Sequence, residues 1–183
     1  MPESLHHDPE LLRRAARVRL LALDVDGVLT DGHLYFSNSG DEIKTFSTLD
    51  GQGIKLLQDS GVPVAVITAR ESLLVARRAE NLGIRHLVQN CHDKCAALQR
   101  LLDTLGLTLE QTAYVGDDLP DLACITRVGL GISVPNGHAS VRERAALVTR
   151  HAGGSGAVRE VCDFIMAAQG TLDAAIERFL GAP

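Results

Sequence analysis

Four short stretches of this chain gather oxygen-bearing side chains and one ammonium group. Asp24-Val25-Asp26-Gly27 sets two carboxylates two residues apart, and Gly116-Asp117-Asp118-Leu119-Pro120-Asp121 supplies three more. Thr68, within Ile67-Thr68-Ala69-Arg70, and Lys94 stand between them in the sequence. Unpartnered carboxylates brought together repel by about 1–4 kcal/mol per close pair, a cost that a divalent cation offsets. Magnesium takes hard oxygen ligands in octahedral geometry and keeps waters. Asp24, Asp117 and the main-chain carbonyl of Asp26 suit it, with Asp118 or Asp121 holding its waters. A carboxylate such as Asp24 can attack phosphorus, which splits one hard hydrolysis into two easier steps. The phosphoryl group in transfer needs positive charge and donors, which Lys94, the Thr68 hydroxyl and backbone N–H groups can give. Asp26 can then protonate the leaving alkoxide and deprotonate the attacking water.

These residues meet only if strand ends bring them together. Val18–Val25 is a near-continuous apolar run, as in a strand buried on both faces of a parallel sheet. Val62–Thr68, residues 86–90, Gln111–Val115, Gly129–Val134 and Ala146–Thr149 read as further strands. Helical patterns fall between them at Asp50–Ser60, Glu71–Asn81, Lys94–Leu105 and Asp121–Thr126. Residues 9–17 form a basic, helix-like lead-in, and Gly156–Gln169 and Thr171–Leu180 read as closing helices. The alternation predicts an α/β fold with a doubly wound, mostly parallel sheet of Rossmann type. Ligands of such sheets bind beyond the carboxyl ends of the strands, where Asp24, Thr68, Lys94 and Asp117 all fall. His33–Ser37 and Glu42–Ser47, joined by Asn38-Ser39-Gly40-Asp41, read as a β-hairpin inserted at about 33–47.

With 183 residues and 45% hydrophobic composition, the chain suffices for one core and is expected to form one domain over 1–183. Its net charge of −5, scattered basic residues and 3% aromatic content exclude a nucleic-acid surface. The first residues lack a basic region followed by an apolar run, and no apolar run approaches the ~20 residues of a membrane span. A cytoplasmic location with reduced cysteines is expected. Cys91-His92-Asp93-Lys94-Cys95 has no second ligand pair after it, so structural zinc is set aside.

Asp24-Val-Asp-Gly-Val-Leu-Thr-Asp31, Thr68, Lys94 and Gly116-Asp-Asp-Leu-Pro-Asp121 resemble, in order, the four motifs of the haloacid dehalogenase-like phosphatases. That superfamily often carries a cap domain, inserted between Asp26 and Thr68 or between Thr68 and Lys94. The first gap has room for a hairpin and one helix, and the second for the helix and strand that the core requires. The chain is therefore expected to be capless, with a neighbouring subunit or a large substrate covering its site. The apolar hairpin (Leu34, Tyr35, Phe36, Ile43, Phe46) suggests packing between subunits in a closed ring.

Gly27-Val-Leu-Thr-Asp-Gly32, Asp50-Gly-Gln-Gly-Ile54, Ile67-Thr-Ala-Arg70, Arg77-Arg78 and Gly153-Gly-Ser-Gly-Ala-Val-Arg-Glu160 further resemble the 3-deoxy-D-manno-octulosonate 8-phosphate phosphatases, over about residues 17–172. The resemblance implies a capless homotetramer with active sites between subunits, working in lipopolysaccharide sugar synthesis. It implies substrate contacts at Ser47, Thr48, Leu49, Asp50, Gly51, Lys55, Arg70, Arg78 and Lys94, beside Asp26. Arginine suits a substrate carboxylate, which it grips with two parallel hydrogen bonds. Three positions depart from the family pattern: Leu49 and Ser155 where many members have Arg, and Ala69 where Gly is usual. The C-terminal segment at about 153–183 is either a loop before the last helices or a tail reaching a neighbour's site. A phosphatase for a nine-carbon keto sugar acid is the near alternative. A phospho-receiver domain is disfavoured, because the third strand ends in Gln89-Asn90 with no acceptor aspartate.

Overall fold

The computed structural model describes residues 8–181. After helix α1 (Pro9–Ala16), the apolar run gives a short strand β1 (Leu20–Leu23), followed by the hairpin strands β2 (Tyr35–Phe36) and β3 (Glu42–Ile43). Then follow α2 (Thr48–Asp59), β4 (Val64–Ile67), α3 (Leu73–Asn81), β5 (His86–Val88) and α4 (Lys94–Leu105). The remainder is β6 (Thr112–Val115), α5 (Leu122–Ile125), β7 (Leu130–Ser133), α6 (Ala139–Arg142), β8 (Leu147–Val148), α7 (Ala157–Ala168) and α8 (Leu172–Glu177). No described helix is long and apolar enough to cross a membrane.

Six strands form one sheet in the order β5-β4-β1-β6-β7-β8, and every pairing is parallel. The central strands are buried along both faces, which is why their sequences lack the polar–apolar alternation of a half-exposed strand. One face is covered by a core that includes Ile54, Leu57, Val75, Val158, Val161 and Ile165. The other is covered by Leu98, Leu102, Cys124 and Val141, which pack on Leu20, Ala65 and Tyr114. The chain runs outward from β1 through β4 to β5, then crosses back to β6 on the other side of β1. The sheet's switch point therefore lies between the carboxyl ends of β1 and β6, where a crevice opens.

Between Asp26 and Thr68 stand only the hairpin, α2 and the core strand β4, and between Thr68 and Lys94 only α3 and β5, so the core carries no cap. Several expected boundaries move. The first strand stops at Leu23, because Val25 turns the chain and its carbonyl accepts from the N–H groups of Val28, Leu29 and Thr30. The hairpin strands shorten to two residues each. Helix α2 starts at Thr48 rather than Asp50, because the Ser47 side chain accepts from the Asp50 N–H at 3.3 Å and caps it. Helix α6, one turn capped by His138, was not expected from the sequence.

Candidate active site

Asp24 stands one residue past β1, nearly buried, and Asp117 two residues past β6. Lys94 opens α4 and reaches back under the sheet end, its ammonium 2.9 Å from Asp24 Oδ1 and 2.7 Å from Asp121 Oδ1. The Tyr114 hydroxyl donates to the same Asp121 oxygen at 2.7 Å. The Asp117 and Asp118 N–H groups donate to Asp121 Oδ2 at 3.1 and 3.3 Å. Both oxygens of the Asp121 carboxylate are thus engaged, and the group orients Lys94 and the loop after β6.

Asp24, Asp117 and Asp121 each offer a carboxylate oxygen within 4.8 Å of the others. One ammonium, Lys94, faces these three acids, so the floor is short of positive charge. Burial, together with the Asp121 charge, pushes Asp24 up to about 7 against the pull of Lys94. Burial first, then Asp121 and Asp118, push Asp117 up to about 6. Burial alone would lower Lys94, but Asp24 and Asp121 hold it above its ordinary value. Asp117 Oδ1 is buried without a hydrogen-bond partner, a costly state for a carboxylate oxygen unless something positive meets it. Gly27 has a backbone φ of +93°, and a Cβ there would collide with Asp117 Oδ2. The residues present therefore fit a magnesium ion: hard oxygens, excess negative charge and an orphaned acceptor, with Gly27 letting the Asp117 carboxylate lie against the loop that follows Asp24.

A crevice of about 270 Å3 is lined by this floor and by Asp26, Gly32, Thr68, Ala69 and Arg70. Asp26 lies on its wall, where Lys44 Nζ meets Oδ1 and Arg70 Nε lies 3.7 Å from Oδ2. Glu42 Oε1 joins the two cations, 3.2 Å from Lys44 Nζ and 2.9 Å from Arg70 Nη2. Lys44 escapes a reading of the sequence alone. Its signal is the period of two in Glu42-Ile43-Lys44, which turns residues 42 and 44 to one face and Ile43 to the other.

Other candidate residues are not brought to this crevice within the subunit. Asp50, expected among the substrate contacts, has a buried carboxylate that accepts from the Arg159 N–H at 2.8 Å and the Gly156 N–H at 3.4 Å, holding the start of α7. Lys55 lines a separate groove with Gln58, Arg85 and His86, beside Pro63 and Val64 at the opposite end of the sheet. Arg78 donates to the Ser47 carbonyl at 3.1 Å and lies over the Phe46 ring at 5.8 Å. Gly51 leaves room for Arg78, whose Nη2 occupies the space a Cβ would need. Thr48 and Leu49 stand at the start of α2, Leu49 exposed. Two contacts account for most of this: α2 packs on α7 and takes the Asp50 carboxylate with it, and Arg78, on α3, is held against the residue that caps α2.

The glycine-rich segment packs on its own subunit. A Cβ on Gly153 would collide with the Gly27 carbonyl, and the Gly154 N–H donates to the Val28 carbonyl at 2.9 Å. Asn136, also unforeseen, donates to the Gly27 carbonyl at 3.1 Å and accepts from the Gly153 N–H at 2.8 Å. Together they clamp the loop that follows Asp24.

Doubly wound sheet, carboxylate floor and missing cap together define a capless haloacid dehalogenase-like hydrolase. Residues 85–161 match the family model described as haloacid dehalogenase-like hydrolase. The chain is 48% identical to the 3-deoxy-D-manno-octulosonate 8-phosphate phosphatase of Escherichia coli K12 over 166 residues, 91% of this chain and 88% of that protein. A phosphatase of Moraxella catarrhalis with that name, solved with magnesium, phosphate and 3-deoxy-D-manno-octulosonate, superposes with a TM-score of 0.93 at 46% identity, covering 94% of this chain and 99% of that one. A probable YrbI-family phosphatase of Pseudomonas syringae gives a TM-score of 0.94 at 53% identity, covering 96% and 100%. This chain belongs to the 3-deoxy-D-manno-octulosonate 8-phosphate phosphatase family.

Proposed function

We propose that this protein is a magnesium-dependent phosphatase that hydrolyses 3-deoxy-D-manno-octulosonate 8-phosphate to the free sugar acid and phosphate, in lipopolysaccharide synthesis in the cytoplasm. The observation that carries it is the floor: Asp24, Lys94 and Asp117 converge at the switch point, in a chain 48% identical to a phosphatase of that name.

Asp24 and Asp117, with the Asp26 carbonyl, would hold the magnesium ion, which when bound neutralises phosphoryl oxygens and Asp24 itself. Asp24 Oδ attacks phosphorus, forming an aspartyl-phosphate as the ester bond to the sugar oxygen breaks. Lys94, held by Asp121, and Thr68 receive the charge on the equatorial oxygens. Asp26 gives its proton to the leaving sugar oxygen and then takes one from the water that cleaves the aspartyl-phosphate. Arg70, half-exposed at the mouth, is placed for a substrate carboxylate.

Substrate selection is completed by other subunits of a homotetramer. Tyr35 and Ile43, paired across the hairpin, expose an apolar patch on one face, and Leu34 and Phe36 stand exposed beside them, with Phe36 63% accessible. Such a patch suits burial against a second copy, and that copy would supply the contacts that Lys55 and Arg78 do not make within one subunit.

Phosphate release from matched eight- and nine-carbon keto-acid phosphates tests the assignment. We expect kcat/KM at least about tenfold higher for the eight-carbon substrate, since one misplaced contact is worth about that factor. Preference for the nine-carbon substrate would transfer the assignment to that chemistry.

A further inference from the structure

Lys44 sits in an unusual place for a lysine. It follows a two-residue strand of an otherwise exposed hairpin, yet its side chain is 1% accessible. Burying an ammonium group costs several kcal/mol unless paired charges and hydrogen bonds compensate. Here Asp26 and Glu42 both meet it. The two oxygens of Asp26 are divided between partners, Oδ1 to Lys44 and Oδ2 toward Arg70. Glu42 then ties Arg70 to Lys44 from the far side. When Asp26 is ionised, two cations and two anions balance here, so Lys44 is matched by its own carboxylates rather than offered to a phosphate. What it adds is direction: Lys44 pairs with Oδ1 and leaves Oδ2, 3.7 Å from Arg70 Nε, as the oxygen able to carry the proton.

We propose that Lys44 is a positioning residue that fixes the Asp26 carboxylate toward the leaving-group oxygen. This rests on the reading of Asp26 as the acid and base. The hairpin thereby becomes part of the active site of its own subunit, through one buried side chain, whatever its outer face packs against. Orientation of a reacting group to within a fraction of an ångström is worth orders of magnitude in rate.

The test uses the dependence on leaving group. A sugar alkoxide needs a proton from Asp26, whereas nitrophenolate departs without one. For Lys44→Met we expect kcat/KM on the sugar phosphate to fall about 10- to 100-fold, part of the roughly 10²–10⁴ of a general acid, and no more than about threefold on p-nitrophenyl phosphate. In an Asp26→Asn background the same change should cost almost nothing further on the sugar phosphate, because the group it orients is gone. Equal losses on both substrates, or a full loss that persists beside Asp26→Asn, would overturn the proposal. Should Lys44→Met fail to fold, Lys44→Gln carries the same comparison, and the same losses decide it. If Asp26→Asn itself shows no dependence on leaving group, the acid and base reading fails, and the role of Lys44 falls with it. Asp26→Asn alone therefore separates failure of that reading from failure of the Lys44 proposal.

Discussion

The floor of the crevice and the hairpin beside it answer to different physics. On the floor, Asp24, Lys94, Tyr114 and Asp121 are buried, contacts run at 2.7–2.9 Å, and nearly every polar atom has a partner. On the hairpin, strands of two residues hold Phe36 and Ile43 63% and 53% exposed. The floor is pre-organised by one chain, as stabilisation of a developing charge requires. The hairpin's strands make few pairings of their own, so its hold on the subunit runs through Lys44, and its apolar side chains stand bare. On the proposed function, the chemistry needs only one subunit's residues, and selection of the sugar falls to surfaces that would meet on assembly.

The largest effect is expected on the floor, from loss of its ammonium. Lys94→Met leaves Asp24 and Asp121 facing each other in a buried site. We expect the metal-free protein to lose about 3–5 kcal/mol of unfolding free energy in urea at pH 8, as when a buried ion pair loses one member. Phosphate release should fall below detection as well. Unchanged stability would mean that the floor is not electrostatically tight.

Substitution on the hairpin should act in the opposite sense, on assembly rather than on folding. Phe36→Asp is an exposed change, expected to move the unfolding free energy by no more than about 0.5 kcal/mol. Sedimentation should show a lower mass, and kcat/KM for the sugar phosphate should drop about tenfold, the scale of one lost specificity contact. A wild-type chain that sediments as a monomer would remove the basis of the contrast.

The smallest effect concerns metal and pH. Asp24 and Asp117 are raised to about 7 and about 6 in the metal-free fold. A raised carboxyl favours the protonated fold, so this contribution is present at low pH and is lost as pH climbs from the ordinary carboxylate range through 6 and 7. Magnesium needs both groups ionised, so it should raise the thermal midpoint little at pH 5.5 and by several degrees at pH 8, at about 2–4 °C per kcal/mol. Equal shifts at both pH values would place the ion elsewhere.

Much of the floor was legible in the sequence, because strand ends of a parallel sheet converge whatever their loops do. Asp24, Thr68, Lys94 and Asp117 needed only that rule. Asp50 did not yield to it. Its carboxylate holds the start of a helix more than a hundred residues on, and close approach of α2 to α7, with Gly53 against Arg159, is a matter of packing rather than pattern. Tyr114 reads as one more apolar residue of a buried strand, and its hydroxyl acquires meaning only beside Asp121. Lys44 was hidden for a related reason: a lysine on a hairpin is ordinarily solvated, and nothing local says that the hairpin folds toward Asp26.

On this reading Asp24 attacks phosphorus in a site that needs magnesium. Phosphate release from 3-deoxy-D-manno-octulosonate 8-phosphate, measured with magnesium and with chelator for wild type and Asp24→Asn, tests it most directly. We expect magnesium-dependent turnover in the wild type and a loss of at least about 10³-fold in Asp24→Asn, which keeps the shape of the side chain but removes the nucleophile. Turnover within about tenfold of wild type in that variant, or undiminished release under chelator, would contradict it.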